Sequence, residues 1–384
     1  MSALAACGSG GSNAQSGSPR VLSAVAALGE KIFKDVSLSA SGRMACATCH
    51  DPARGHAGAD NLAVPRGGPG LDVPGFRNAP SLRYLDQTPA FFFDKDGTPT
   101  GGFDRDGRAD TLAIQARRPF LAAHEMANAD AADLATKLRR ATYADEFRSV
   151  FGAASLDDAE GAFTRAAAAV AQYQREDQEF HPYSSRYDGF IAGQGSLTTQ
   201  ELRGFALYNN PQKGNCAACH PDSRGASGEP PLFTDFTYDN LGVPRDTDVP
   251  ANADAAYFDL GLCGPDRTDL AAGHKDLCGA FKVPTLRNIA VTAPYFHNGR
   301  FATLTQVVSF YVRRDTSPDE WYPLNAEGVA DKFNDLPPEY RRNVNITEVP
   351  YNRKPGELPA LSADEIDDVV AFLKTLTDAD LSNP

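Results

Sequence analysis

The stretch Cys46-Ala47-Thr48-Cys49-His50 recurs later in the chain as Cys216-Ala217-Ala218-Cys219-His220. Two thiols at this spacing, followed at once by an imidazole, form the attachment signature of c-type haem. The thiols add across the porphyrin vinyl groups as thioethers, and the histidine takes one axial face of the iron. A redox C-x-x-C has no need of a histidine at that position. One zinc site built from the four cysteines would leave both histidines without a task. Two covalently held haems therefore constrain the fold more than any other feature, because each must be wrapped by chain and each supplies apolar surface to the core.

The rest of the composition agrees with that constraint. Glycine (33) and proline (27) are frequent among the 384 residues, which predicts much irregular backbone around the cofactors. The length suggests two domains plus connections. The formal charge of −13 argues against nucleic acid as a partner and favours a basic or weakly charged one. Of seven cysteines, four belong to the haem motifs. Cys263 and Cys278, 15 positions apart in a Gly/Asp-rich stretch, are expected to form a disulfide. Attachment of c-type haem outside the bacterial cytoplasmic membrane makes an oxidising, periplasmic compartment the expectation. The seventh, in Leu4-Ala5-Ala6-Cys7-Gly8, resembles a lipobox. It reads either as a lipid anchor, with residues 1–19 as a flexible tether, or as a chance match.

Helical periodicity marks most of the regular segments. Residues 21–34 put Leu22, Val25, Leu28, Ile32 and Phe33 on one face. A short helix is expected from Leu112 to about Ala122, interrupted at Pro119, and alanine-rich helices over 130–151 and 156–176. Further helices are expected over 197–209, 303–312 and 362–377, the last capped by Ser362 and Glu365. Phe91-Phe92-Phe93 reads as core or haem wall, and 221–280 as a long loop region. No stretch alternates as an extended sheet. The expected fold is mainly α: two cytochrome c-like haem domains, 20–190 and 191–384, with extensive irregular loops.

The two halves echo each other in order. After each haem motif comes Ala79-Pro80-Ser81-Leu82-Arg83 or Val283-Pro284-Thr285-Leu286-Arg287. Then comes Asp106-Gly107-Arg108 followed by Thr111-Leu112, or Asn298-Gly299-Arg300 followed by Thr303-Leu304. This predicts an internal pseudo-repeat.

What lies opposite each histidine decides whether an iron is open for chemistry or closed for electron transfer. Met1, Met44 and Met126 are poorly placed to close either one. Seven residues after Leu304 stands Tyr311; seven after Leu112 stands Pro119, which cannot ligate iron. By this register the second haem is closed by Tyr311 and the first is open, although Tyr311 equally reads as an ordinary aromatic in an apolar helix. His56 could line the open haem or belong to its loop, His297 reads as structural, and His181 and His274 as surface residues. Glu125 follows the open-haem segment. It reads as a proton-moving acid or, failing that context, as a capping or solvated glutamate.

Several motifs together resemble the bacterial dihaem cytochrome c peroxidase and MauG family. They are Gly29-Glu30-Lys31-Ile32-Phe33, Arg77-Asn78-Ala79-Pro80-Ser81-Leu82, Asp106-Gly107-Arg108, Glu125-Met126, Pro284-Thr285-Leu286-Arg287-Asn288 and Thr292-Ala293-Pro294-Tyr295-Phe296-His297. The resemblance implies that His50 is the proximal ligand of a peroxidatic haem, with Glu125, Gln115 and Pro119 on its distal side. It implies that His220 is the proximal ligand of an electron-transfer haem. Tyr311 falls where peroxidases of the family carry methionine and MauG carries tyrosine. A calcium ion between the haems would take the side-chain oxygen of Asn78 and the backbone carbonyls of Thr292 and Pro294. Three departures stand out. The loop after the first motif has only His56 as a histidine, Arg105 stands where the family usually has an inter-haem tryptophan (Trp321 lies elsewhere), and His124 precedes the glutamate.

The resulting expectation is a peroxide-reducing oxidoreductase. Its partner would be a small electron-donor protein, a cytochrome c or a cupredoxin. The alternatives are a MauG-like enzyme oxidising side chains of a partner protein, and a non-enzymatic dihaem electron carrier.

Overall fold

The computed structural model describes residues 21–382, so the lipobox at Cys7 lies outside the described residues. Ten α-helices are present among the described residues: α1 (Ala24–Lys34), α2 (Cys46–Cys49), α3 (Leu112–Leu121), α4 (Ala131–Arg140), α5 (Ala144–Phe151), α6 (Ala159–Glu176), α7 (Arg186–Ile191), α8 (Thr199–Asn209), α9 (Leu304–Arg313) and α10 (Ala363–Lys374). Strands among the described residues form four antiparallel pairs, each strand two residues long. The mainly helical expectation holds, with long loops between the helices.

Capping side chains set where the helices begin. Ser23 accepts from the Ala26 amide at the start of α1, and Thr111 from the Ile114 amide at the start of α3. Reciprocal capping boxes open α8 (Thr198 with Glu201), α9 (Thr303 with Gln306) and α10 (Ser362 with Glu365).

The first core gathers Leu28, Ile32 and Phe33 of α1 against Phe163, Ala166 and Val170 of α6. The second gathers Tyr208 of α8, Phe233, and Val369 and Phe372 of α10. Each core is built on a crossing that only glycine permits. A Cβ on Gly29 would stand 1.9 Å from the Ala169 carbonyl oxygen, and one on Gly204 would stand 1.9 Å from that of Asp368. Phe180 packs in the first core and Tyr187 of α7 in the second, so the chain passes from one core to the other between them. The polar contacts of the Ser185 cap and the Asp188–Arg287 pair hold α7 there.

Three other segments differ from expectation. Helix α3 runs through Pro119 instead of breaking at it, and the loop behind it takes up the trailing carbonyls: Met126 N–H donates to Pro119 and Asn128 N–H to Phe120. The 130–151 stretch is two helices, parted at 141–143, where the Tyr143 hydroxyl reaches Asp35 at 2.6 Å. Within the triple phenylalanine, Phe91 packs on Phe93 and Tyr238, whereas Phe92 is exposed. The Cys263–Cys278 disulfide is formed.

The echoed motifs adopt matching geometry. The Ser81 hydroxyl donates to Gly55 and the Thr285 hydroxyl to Leu232, both at 2.6 Å, and each oxygen accepts the amide of the arginine two residues on. Both arginines are fully buried. Arg287 makes a two-pronged contact with Asp188, while Arg83 pairs with Asp378 and Asp380, tying the end of the chain back onto the first half. The turns that follow close through Phe103–Ala109 and Tyr295–Phe301 bridges.

Candidate functional site

At the first motif, α2 carries both cysteines and ends on His50. The His50 ring presents Nδ1 to the His56 carbonyl at 3.0 Å, which leaves Nε2 as the free lone pair. Burial, only partly offset by that bond, lowers its pKa to about 4, so the imidazole is neutral, as a metal ligand must be. The second motif repeats this arrangement. His220 faces the Phe233 carbonyl at 2.8 Å, and burial depresses its basicity. Four free thiols, each beside a neutral imidazole with one nitrogen already bonded, are the donor set that a covalent haem requires. The residues fit the group at both places.

His56 does not line the first site. Its ring is fully buried behind His50, stacked on Phe180 at 4.3 Å, with Nε2 3.4 Å from a Glu179 carboxylate oxygen. Its contribution to the site is its carbonyl. His297 is a packing residue, stacked on Phe281 at 3.8 Å. His274 stacks on Phe93 and is half-buried, not a free surface residue. Met44 and Met126 both sit in the first core.

Glu125 follows α3, where the Arg66-Gly67-Gly68 segment crosses beneath it. The Gly68 amide donates to the Glu125 carbonyl at 2.8 Å, and a Cβ on Gly67 would come within 2.9 Å of the Glu125 Cα. Burial, followed by the nearby Asp104 carboxylate, raises the Glu125 carboxyl pKa to about 7. Arg108 and Arg118 pull in the opposite direction. His124 turns toward this acid, with Nε2 3.6 Å from Oε1, and burial lowers its basicity. The Gln115 amide donates to Asp104 at 3.4 Å. Gln115 and Pro119 are half-buried on the same helix, one turn apart.

A cavity of about 300 Å³ reaches from Gln115, Asp104 and Arg105 to Cys216, His220 and Tyr311. Tyr311 is on α9 and stacks on Phe296, with Tyr351 at 6.0 Å between ring centres. Burial pushes its phenol well above the usual range. Tyr351 lines the same cavity, a second phenol that no sequence spacing pointed to. The Phe233 carbonyl was equally hidden, since it lies in a loop 13 residues past His220 with no motif around it.

The calcium ligand set is where the structure departs from expectation. Asn78, Thr292 and Pro294 do line one cavity. The Asn78 side-chain oxygen, however, accepts from the Arg105 guanidinium at 2.9 Å, and its backbone carbonyl accepts from Arg105 Nε at 3.0 Å. Ala293, between the other two expected ligands, gives its carbonyl to Arg54. Of the three expected donors, the Asn78 side-chain oxygen already faces a guanidinium, and a second guanidinium sits on the carbonyl between the other two, so Asn78 as placed does not fit calcium.

Residues 23–196 match the family Di-haem cytochrome c peroxidase. The methylamine utilization protein MauG of Paracoccus denitrificans is 39% identical over 363 residues, spanning 92% of this chain and 89% of that protein. The cytochrome c551 peroxidase of Nitrosomonas europaea is 30% identical over 310 residues, covering 77% and 76%. Among solved structures, the diheme peroxidase BthA from Burkholderia thailandensis E264 superposes with a TM-score of 0.85 at 42% identity, over 93% of this chain and 86% of that one.

Proposed function

We propose that this chain, which belongs to the di-haem cytochrome c peroxidase family, reduces hydrogen peroxide at its first haem site and exchanges electrons through its second. Cys46, Cys49 and His50 would hold one haem, and Cys216, Cys219, His220 and Tyr311 the other. When bound, the haem irons supply the redox chemistry and the two electrons that reduce the O–O bond. The observation that carries the reading is Glu125, a carboxyl balanced near neutrality just beyond α3 and close enough to Cys46 and Cys49 for their charges to act on one another. Its carboxylate takes the proton from the inner peroxide oxygen and returns it to the outer one, which departs as water. Gln115, held by Asp104, orients the bound peroxide. Pro119 keeps the distal face free of a ligating side chain. Tyr311 closes the second site, so peroxide reacts at one site only. The shared histidine supports, glycine crossings and buried arginines support reading the two halves as an internal repeat.

Tyr311 also favours a second reading, in which electrons come from side chains of a protein partner, because an anionic oxygen ligand stabilises oxidised iron and makes a poor acceptor from a cytochrome. The paired donors separate the two: a reduced small cytochrome or cupredoxin is consumed with peroxide under the first reading, and only a partner protein under the second. The main reading is tested by peroxide consumption in the holoprotein and its Glu125→Gln variant. A fall of ~10²–10⁴-fold with the haem spectrum unchanged is expected; equal rates would remove Glu125 from the reaction.

A further inference from the structure

We infer that the guanidinium groups of Arg105 and Arg54 take the place of a divalent metal ion between the two haem sites, and that the native protein binds no calcium there. This goes beyond the peroxide reading and does not depend on it. Arg105 bridges both oxygens of Asn78, with Nε on the backbone carbonyl at 3.0 Å and Nη2 on Oδ1 at 2.9 Å. Asn78 is itself buried, and its amide donates to the His297 carbonyl at 2.7 Å. The guanidinium thus grips the 77–80 segment, which the Asn78 backbone N–H in turn ties to the 292–297 segment. Arg54 holds the other side, donating to the Ala293 carbonyl and, at 3.1 Å, to the Asn61 side chain. Together the two side chains place two positive charges on the two segments that one divalent ion would join.

Arg105 makes no ion pair among the described residues. An arginine guanidinium keeps its charge in proteins. A calcium ion on Asn78 Oδ1 would sit within roughly 2.6 Å of that oxygen. It would therefore stand about 5 Å from the guanidinium, and at an effective dielectric of about 20 the repulsion weakens binding on the order of 10⁴-fold or more. Arginine suits the position because it donates from a planar fork to two oxygens of one residue, which neither a lysine nor a tryptophan can do.

The test is metal analysis of the two-haem holoprotein after dialysis against calcium-free buffer. The expected result is well below one calcium per chain, with a visible spectrum and unfolding temperature unmoved by a chelator or by added millimolar calcium. One tightly held calcium per chain, or a chelator-induced spectral change reversed by calcium, would overturn the inference. The Arg105→Gln variant frees the Asn78 oxygen and is expected to gain a calcium-dependent rise in unfolding temperature that the native protein lacks. A folded Arg105→Gln protein that remains indifferent to calcium would also count against it. If that variant does not fold, the metal content of the native holoprotein still decides.

Discussion

Behind their histidines the two halves are built alike, and in front of them they differ. His50 and His220 each point Nδ1 at a loop carbonyl, His56 and Phe233 respectively. Each half has one helix crossing at a glycine and one fully buried arginine two residues beyond a serine or threonine. The facing helices, α3 and α9, start from the same threonine cap, yet one carries Gln115 and Pro119 and leads to Glu125, while the other carries Tyr311. The contrast teaches that support and reactivity are separable. The elements around each histidine bury it and lower its basicity, while the side chains carried by α3 and α9 differ.

The comparison breaks most severely at the attachment residues. Cys46→Ser with Cys49→Ser is expected to leave a protein carrying one covalent haem and to reduce peroxide consumption to background, measured by haem content and peroxide assay. The matching pair at Cys216 and Cys219 should also leave one haem, but with the ferric protein still reacting with peroxide. Equal loss in both would mean that the sites are not distinct.

A smaller effect is expected from pH. Because the Glu125 carboxyl has its pKa raised to about 7, its base form accumulates as pH rises through 7 and is lost below it. The rate constant for peroxide consumption should therefore fall on the acid side of 7, and Glu125→Gln should flatten that limb. A profile centred near the ordinary carboxylate range would place the titrating group elsewhere.

Tyr311→Phe sharpens the contrast at the second site. Electron paramagnetic resonance of the ferric protein should show one low-spin and one high-spin haem in the native chain, and loss of the low-spin signal in the variant. If the low-spin signal persists, another group such as Tyr351 closes the site.

The smallest expected effect falls on the shared scaffold. Gly29→Ala and Gly204→Ala each force a Cβ onto a carbonyl oxygen at 1.9 Å. Each should cost about 1–3 kcal/mol and lower the thermal midpoint by several degrees. Similar losses in the two would support equal structural roles for the crossings, and a marked difference would argue against them.

Much of the fold was legible in the sequence because it rests on local signals. Capping residues and 3.6-residue periodicity located α1, α8, α9 and α10 closely, since both act within a turn or two of the chain. Pro119 lies two residues before the end of α3, so the helix passes through it, and the 126–128 loop supplies donors to the Pro119 and Phe120 carbonyls that the helix end leaves over, a contact no local signal marks. His56 was undecidable for the same reason: six positions from His50, its ring could turn either way until Phe180 packed against it.

By itself the sequence determined two haem-attachment motifs, the disulfide pair and the mainly helical class. These follow from covalent chemistry at fixed short spacing and from periodic apolar faces. Only the tertiary structure decided which carbonyls orient the histidines, how Glu125 comes to be balanced near neutrality, and that Arg105 meets the Asn78 oxygen while Arg54 meets the Ala293 carbonyl. Each depends on burial, or on contact between segments as far apart as Arg54 and Ala293, and neither is written in the residues nearby.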